Sequence, residues 1–176
     1  MQQQIETERL ILKPASINDL EKYLELDMDP EVTKYIPGVL DGSETHISFL
    51  KESILWFYGK GLGYWSIFPK NNPSLFLGWV ILAPYDTDEP EIEIGWRLNR
   101  PAWGKGYATE AAQAIVTYGF KTVVLECIYA YIDLENKRSI SVANKLGFSF
   151  FSSFIYDGVP CDAYRMTQQE YLQTEI

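Results

Sequence analysis

The chain has 176 residues, 47% of them hydrophobic, and 24 acidic residues against 15 Lys and Arg give a formal charge of -9. That length suits one domain burying about two thirds of its extended surface, and the acidic excess excludes a broad nucleic-acid footprint while favouring a cationic small molecule or peptide as partner. Cys127 and Cys161 are too few for a disulfide framework or a cysteine-based metal site, no apolar run approaches the roughly 20 residues of a bilayer span, and "MQQQIETERL" shows no apolar signal region, so no membrane association and a reducing, cytoplasmic setting are expected.

Residues 8–13, "ERLILK", read as a short strand with Leu10 and Leu12 on one face. The following "SINDLEKYLELD" is a helix pattern, with Ser16 as N-cap and Asp19 as the capping-box acid. Pro30 suits the first turn of a short helix ending near Tyr35 and Ile36, and another helix starts at Ser43 with Ile47, Leu50, Ile54 and Phe57 on one side. After Gly59 the pattern turns to strands: 62–68 and 74–82, joined by a polar turn, and then 91–98. In this last segment Ile92, Ile94 and Trp96 share one face while Glu91, Glu93 and Arg97 share the other. A helix follows Gly106, 123–132 is a dense apolar strand, 137–146 is a second helix, and the chain closes with a hairpin around Asp157-Gly158. A strand, crossover helix and strand over 91–131, with hairpins at the ends, give an α/β or α+β domain with a mixed sheet.

The segment "RPAWGKGYATEAAQAIVTYGF", residues 100–120, sets Gly104 and Gly106 against a helix whose inner stripe is Ala108, Ala111, Ala112, Ile115 and Gly119. A loop leaving a strand and entering a helix offers free backbone N–H groups and a partial positive potential to an anion. Glycines there take positive φ and let oxygen atoms come close to the backbone. Lys105 and Arg100 add charge, and the small stripe lets the helix sit near the sheet. The spacing lacks the third glycine of a dinucleotide fingerprint and the Gly-Lys-Ser/Thr ending of a P-loop. Taken alone, the loop is either an anion site or a tight strand-to-helix turn.

A second segment, "DLENKRSISVANKLGF" at 133–148, narrows this. Together with "WGKGYATEA" it resembles the GCN5-related N-acetyltransferase (GNAT) superfamily, in the branch similar to ribosomal-protein N-terminal acetyltransferases. "ETERLILKPASINDL", "DPEVTKYIP" and "IEIGWRL" resemble further segments of that family in the same order, so the resemblance spans nearly the whole chain. It implies a central mixed, mostly antiparallel sheet flanked by helices, and acetyl-CoA as cosubstrate. The backbone from Trp103 through Gly104, Lys105, Gly106 and Tyr107 to Ala108, with Arg100 beside it, is then expected to hold the pyrophosphate. The pantetheine would lie between strands 91–98 and 126–131, with an oxyanion donor among the N–H groups of Ile94, Gly95 and Trp96. Asn136 and Ser139 would contact the pantetheine or the acceptor. One departure is Pro101, where many members carry Gln or Arg; proline has no N–H to donate.

The resemblance implies direct transfer to a primary amine, on a protein or peptide N-terminus or on a cationic small molecule, with no metal and no covalent enzyme intermediate. Cys127 is therefore expected to be a packed core residue and not a nucleophile. Glu93 is the candidate base, with Glu91 beside it as the alternative. The tyrosine that serves many members as general acid corresponds to a position near Ala143, so Ser139, Ser141, Tyr131, Tyr164 or water must protonate the thiolate. His46, the single histidine, reads as surface or acceptor-cleft lining; Tyr35, Trp65 and Trp103 fall near segments that line the acceptor groove in the family, with core packing the expected role of each one. Two other classes remain: a noncatalytic acetyl-CoA-binding module, favoured by the missing acid, and a mononucleotide or phosphate binder, which leaves residues 136–148 unexplained. The aromatic C-terminal hairpin either completes a monomer or gives a homodimer its contact.

Overall fold

A computed structural model describes residues 2–38, 40–85 and 91–174. The strands are β1 (Ile5–Glu6), β2 (Leu10–Pro14), β3 (Gly63–Pro69), β4 (Gly78–Pro84), β5 (Ile92–Leu98), β6 (Cys127–Asp133), β7 (Ser149–Tyr156) and β8 (Val159–Thr167). The helices are α1 (Leu20–Asp27), α2 (Pro30–Thr33), α3 (Glu44–Leu55), α4 (Tyr107–Tyr118), α5 (Lys137–Leu146) and α6 (Gln168–Thr174). The strands form one sheet in the order β1-β2-β3-β4-β5-β6-β8-β7, antiparallel throughout except for the parallel pair β5–β6.

Period-two alternation decides which residues meet which helices. Leu10, Leu12, Trp65, Ile67, Val80, Leu82 and Ile94 turn to one face and join Ala111, Ala112 and Ile115 of α4 in the main core. Burial of this kind contributes about 25 cal/mol per Å² of apolar surface. The alanine stripe brings α4 down onto the sheet, and a Cβ on Gly119 would stand 2.9 Å from Ile128 Cδ1. On the opposite face Tyr23 and Leu26 of α1, Leu50 of α3 and Trp79 of β4 form a smaller core. There the buried Ser66 hydroxyl donates to Asp19 Oδ2 at 3.0 Å, and the same oxygen accepts the Ser16 N–H at 3.2 Å, so the capping box also anchors α1 to β3.

Several boundaries differ from the expected ones. The strand expected at 74–82 starts at Gly78. The apolar run at 123–132 becomes strand only at Cys127: Gly119–Val123 is a π-helical turn and Val124 has φ 65°. Phe57 lies beyond the end of α3, 80% exposed, because Trp56 is already extended. β1 and α6 were not foreseen. The hairpin turn does fall on Asp157-Gly158, with φ 48° and 79°, the left-handed pair that a two-residue loop of matching twist requires.

Between β5 and β6 a single pair, Glu93 and Tyr129, is in register. Beyond it the two strands run on toward Leu98 and Asp133 with no further paired residues. The chain then enters α4 after one strand and α5 after the other, so two helix N-termini flank the open end of the gap.

Candidate active site

The loop from Trp103 to Gly106 forms one wall of a cleft of about 900 Å³ at this open end, and the first turn of α5 forms the other. Gly104 and Gly106 have φ 72° and 79°, and no side chain caps α4; the Glu110 N–H donates to Gly106 O at 3.0 Å, which leaves the N–H groups of Tyr107, Ala108 and Thr109 without an intrahelical or capping partner. Arg9, in the turn between β1 and β2, holds this loop from behind. Its guanidinium donates to Lys105 O at 2.9 Å and to Glu110 Oε2 at 2.6 Å, and lies 4.7 Å from the centre of the Tyr107 ring. Desolvation pushes the Glu110 carboxyl up, but hydrogen bonds from Thr7 and Arg9 overcome it and hold the group below its usual range. Glu110, the one charged residue on the alanine-rich helix, is therefore a clamp for the loop, and pattern reading alone did not identify it.

Gly106→Val is expected to weaken acetyl-CoA binding by at least about tenfold, because a β-branched residue at positive φ costs on the order of 1–3 kcal/mol and displaces the loop amides. A Cβ there would also stand 3.3 Å from Arg9 Nη2. Calorimetric affinity compared with denaturation midpoint is the check; equal affinity in a folded variant defeats the assignment.

On the facing wall Asn136 Oδ1 accepts the Ser139 N–H at 3.1 Å, which leaves the Asn136 amide group for a ligand. Ser139 and Ser141 line the cleft. Arg138 crosses it, with its guanidinium 4.5 Å from the centre of the Trp103 ring, and Trp103 Nε1 donates to Leu98 O at 2.7 Å. Trp96, Tyr107 and Ala108 also lie on the lining, joined by Tyr35 from the segment after α2. Of the residues expected to hold cofactor, Ile94, Gly95, Arg100 and Lys105 do not line the cleft. Ile94 is in the main core, and Arg100 is paired with Asp29 at 2.7 Å. Lys105 contributes its carbonyl to Arg9. Missing from the sequence reading were Arg138 and Lys145, both on the lining. Arg138 and Lys145, seven residues and so about two helical turns apart on one face, were the available signal.

Glu93 belongs to the other face of β5. Its carboxyl is half-buried, and desolvation raises it to about 7, far above the usual carboxylate range. Gly95, two residues along the same face, keeps that space open: a Cβ there would lie 3.8 Å from Glu93 Oε1. Beside it Tyr131 donates its hydroxyl to Glu91. Burial first, then Glu91 and Glu93, drive the Tyr131 phenol well above its ordinary range, which makes it a poor acid for a leaving thiolate. Tyr164 is buried on the α4 side and also raised by desolvation, and Ala143 is wholly buried in the main core.

Two further expectations, for His46 and Cys127, need correction. His46 is not on the surface: it is 3% exposed, its Nδ1 accepts the Gly42 N–H at 3.1 Å, and its Nε2–H therefore faces Asp27 Oδ2 at 3.3 Å. Asp27 is shared with Arg97, whose guanidinium lies 4.9 Å from the Trp79 ring centre. Trp65 takes the core role expected of it: it is fully buried, and its indole N–H donates to Gln3 O at 2.9 Å. Cys127 is not in the core but half-buried on the Glu93 face, where desolvation raises its thiol and keeps it protonated.

Residues 9–149 match the family model described as an acetyltransferase (GNAT) domain. The chain belongs to the GNAT acetyltransferases. It is 34% identical over 144 residues to the uncharacterized N-acetyltransferase p20 of Bacillus licheniformis, covering 81% of this chain and 80% of that one. It is 29% identical to the FsC-acetyl coenzyme A-N(2)-transacetylase of Aspergillus fumigatus, over 97% of this chain and 79% of the relative. The crystal structure of a GNAT-family acetyltransferase from Bacillus anthracis superposes with a TM-score of 0.78 at 28% identity, over 95% of this chain and 99% of that chain. The mixed, mostly antiparallel sheet flanked by helices is thus the fold of this family.

Proposed function

We propose that the protein binds acetyl-CoA in the cleft between α4 and α5 and transfers the acetyl group directly to a primary amine, with Glu93 as base. The observation that carries this reading is the gap past the Glu93–Tyr129 pair, flanked by the uncapped start of α4 and by Asn136. The amides of Trp103–Ala108 meet the pyrophosphate, whose charge the helix terminus and Arg138 offset. The pantetheine arm runs into the gap, where β5 has backbone groups not paired with β6, and an N–H of Ile94–Trp96 receives the developing oxyanion. Glu93, with a carboxyl near neutrality, takes a proton from the ammonium through water. The freed amine attacks the thioester carbon, the C–N bond forms, the C–S bond breaks, and the second amine proton ends on the CoA sulfur, relayed by Ser139, Ser141 or water.

The relative whose name includes acetyl coenzyme A supports the cofactor, and residues 136–148 support the branch similar to ribosomal-protein N-terminal acetyltransferases. Cys127 and Cys161, both free thiols, suit a cytoplasmic setting. Calorimetric titration with acetyl-CoA, with ATP as control, tests the reading. Selective acetyl-CoA binding followed by amine-dependent thiol release is expected. Binding without release across amines would leave a noncatalytic module, and no binding by folded protein would overturn the proposal.

A further inference from the structure

The half of the sheet beyond β5 carries α5 on one face and an aromatic hollow on the other. Tyr129 and Tyr131 of β6 stack with ring centres 6.1 Å apart and planes 4° from parallel. Tyr85, at the end of β4, brings its ring within 4.2 Å of Tyr131, and Phe154 and Phe151 of β7 meet Tyr131 and Tyr129 edge-on at 5.5 and 5.8 Å. The floor is Ala163, paired with Tyr131 on one side and Ser152 on the other, and its small side chain makes the depression. The hollow measures about 460 Å³, within the size range of small-molecule sites.

Among the described residues that line it, Glu91 is the one charged side chain. Glu93 lies two residues further along the same face of β5, in register with Tyr129, and its charge acts on the Tyr131 phenol together with that of Glu91. The hollow therefore runs from aromatic walls to the Glu91 carboxylate, with Glu93 outside the lining and two residues further along β5. A lone ammonium on a flat apolar body matches both ends: ring faces and edges pack the body, and tyrosine faces with a carboxylate hold the cation. The described residues of the lining offer one carboxylate, which matches one ammonium.

We propose that the acceptor is a small primary monoamine on an aromatic body, seated in this hollow with its nitrogen between Glu91 and Glu93. The assignment rests on the acetyltransferase reading above. It is tested with the full chain and acetyl-CoA in a thiol-release assay, using phenethylamine and tryptamine against spermidine and a tripeptide with a free N-terminal alanine. The two aryl amines are expected to exceed the others in kcat/KM by about tenfold or more.

Ala163→Leu, which fills the floor, should raise KM for phenethylamine by about tenfold while the calorimetric affinity for acetyl-CoA stays unchanged. Phe154→Ala, which removes a wall without overpacking, should move KM in the same direction and serves if the leucine variant does not fold. A preference for spermidine or the tripeptide, or an unchanged KM in the folded variants, overturns the assignment. Acetyl-CoA binding with no transfer to either aryl amine also overturns it and leaves the cofactor site standing. Failure to bind acetyl-CoA removes the underlying reading first.

Discussion

Glu93→Gln is expected to lower kcat by about 10²- to 10⁴-fold, the usual contribution of a positioned general base, with little change in acetyl-CoA affinity. The carboxyl sits near 7 because desolvation penalises its charged form, so the wild-type rate should rise with pH through the neutral range as the base form appears. In the glutamine variant that limb should vanish and leave the acceptor's own titration. Linkage gives the same group a second signature. A folded pKa above the unfolded one means the native state binds the proton more tightly, so the stability Glu93 lends is present at low pH and is lost as pH rises toward and through about 7. At pH 8 the glutamine variant should be the more stable protein, by as much as about 3 kcal/mol, and at pH 4 the advantage should be gone. Urea unfolding at both values, with the pH–rate profile, decides it: an unchanged profile removes Glu93 from the chemistry.

Asp27→Ala is expected to cost about 3–5 kcal/mol of stability, because it leaves a buried cation without its counter-charge. Asp27 is 2% exposed and is the shared acceptor of Arg97 and of the His46 Nε2–H. Against a typical total of about 5–15 kcal/mol the loss is large, and for a chain of this size it corresponds to a fall in Tm of roughly 10 °C. Thermal and urea denaturation measure it; a loss under about 1 kcal/mol would mean that water replaces the carboxylate and that the cluster is not closed.

What the chain shows along its own length was readable from sequence. The Gly104–Gly106 loop, the helix start at Ser43, the two-faced β5 and the Asp157-Gly158 turn are local events, specified within a few residues by φ preference, capping and alternation. What failed depends on partners far off in the chain. Arg9 and Glu110 are 101 residues apart, and Asp27 and Arg97 are 70 apart; neither pair has a spacing that announces it. His46 reads as one more polar helix residue until Asp27 is placed beside it. The apolar run from Val123 to Leu125 fits either a strand or a tight turn, because hydrophobicity without alternation does not separate the two. In the site, the loop and Asn136 were found through motif, whereas the aromatic hollow is assembled from β4, β5, β6, β7 and β8 and has no counterpart in any one segment.

The single in-register pair between β5 and β6 makes the sheet two leaves joined at one point of the spine. Glu93 and the Gly104–Gly106 loop ride on the leaf that ends in β5; Asn136, Ser139 and the tyrosine wall ride on the leaf that begins with β6. The groups proposed to bind and react are thus split between two bodies, and their alignment is set by whatever holds the leaves at a fixed opening. The packing of α4 on α5 and the guanidinium of Arg138 on Trp103 form that brace. A substitution that lets the leaves turn would slow the enzyme without touching either substrate, and the width of the opening belongs to the helices as much as to the strands.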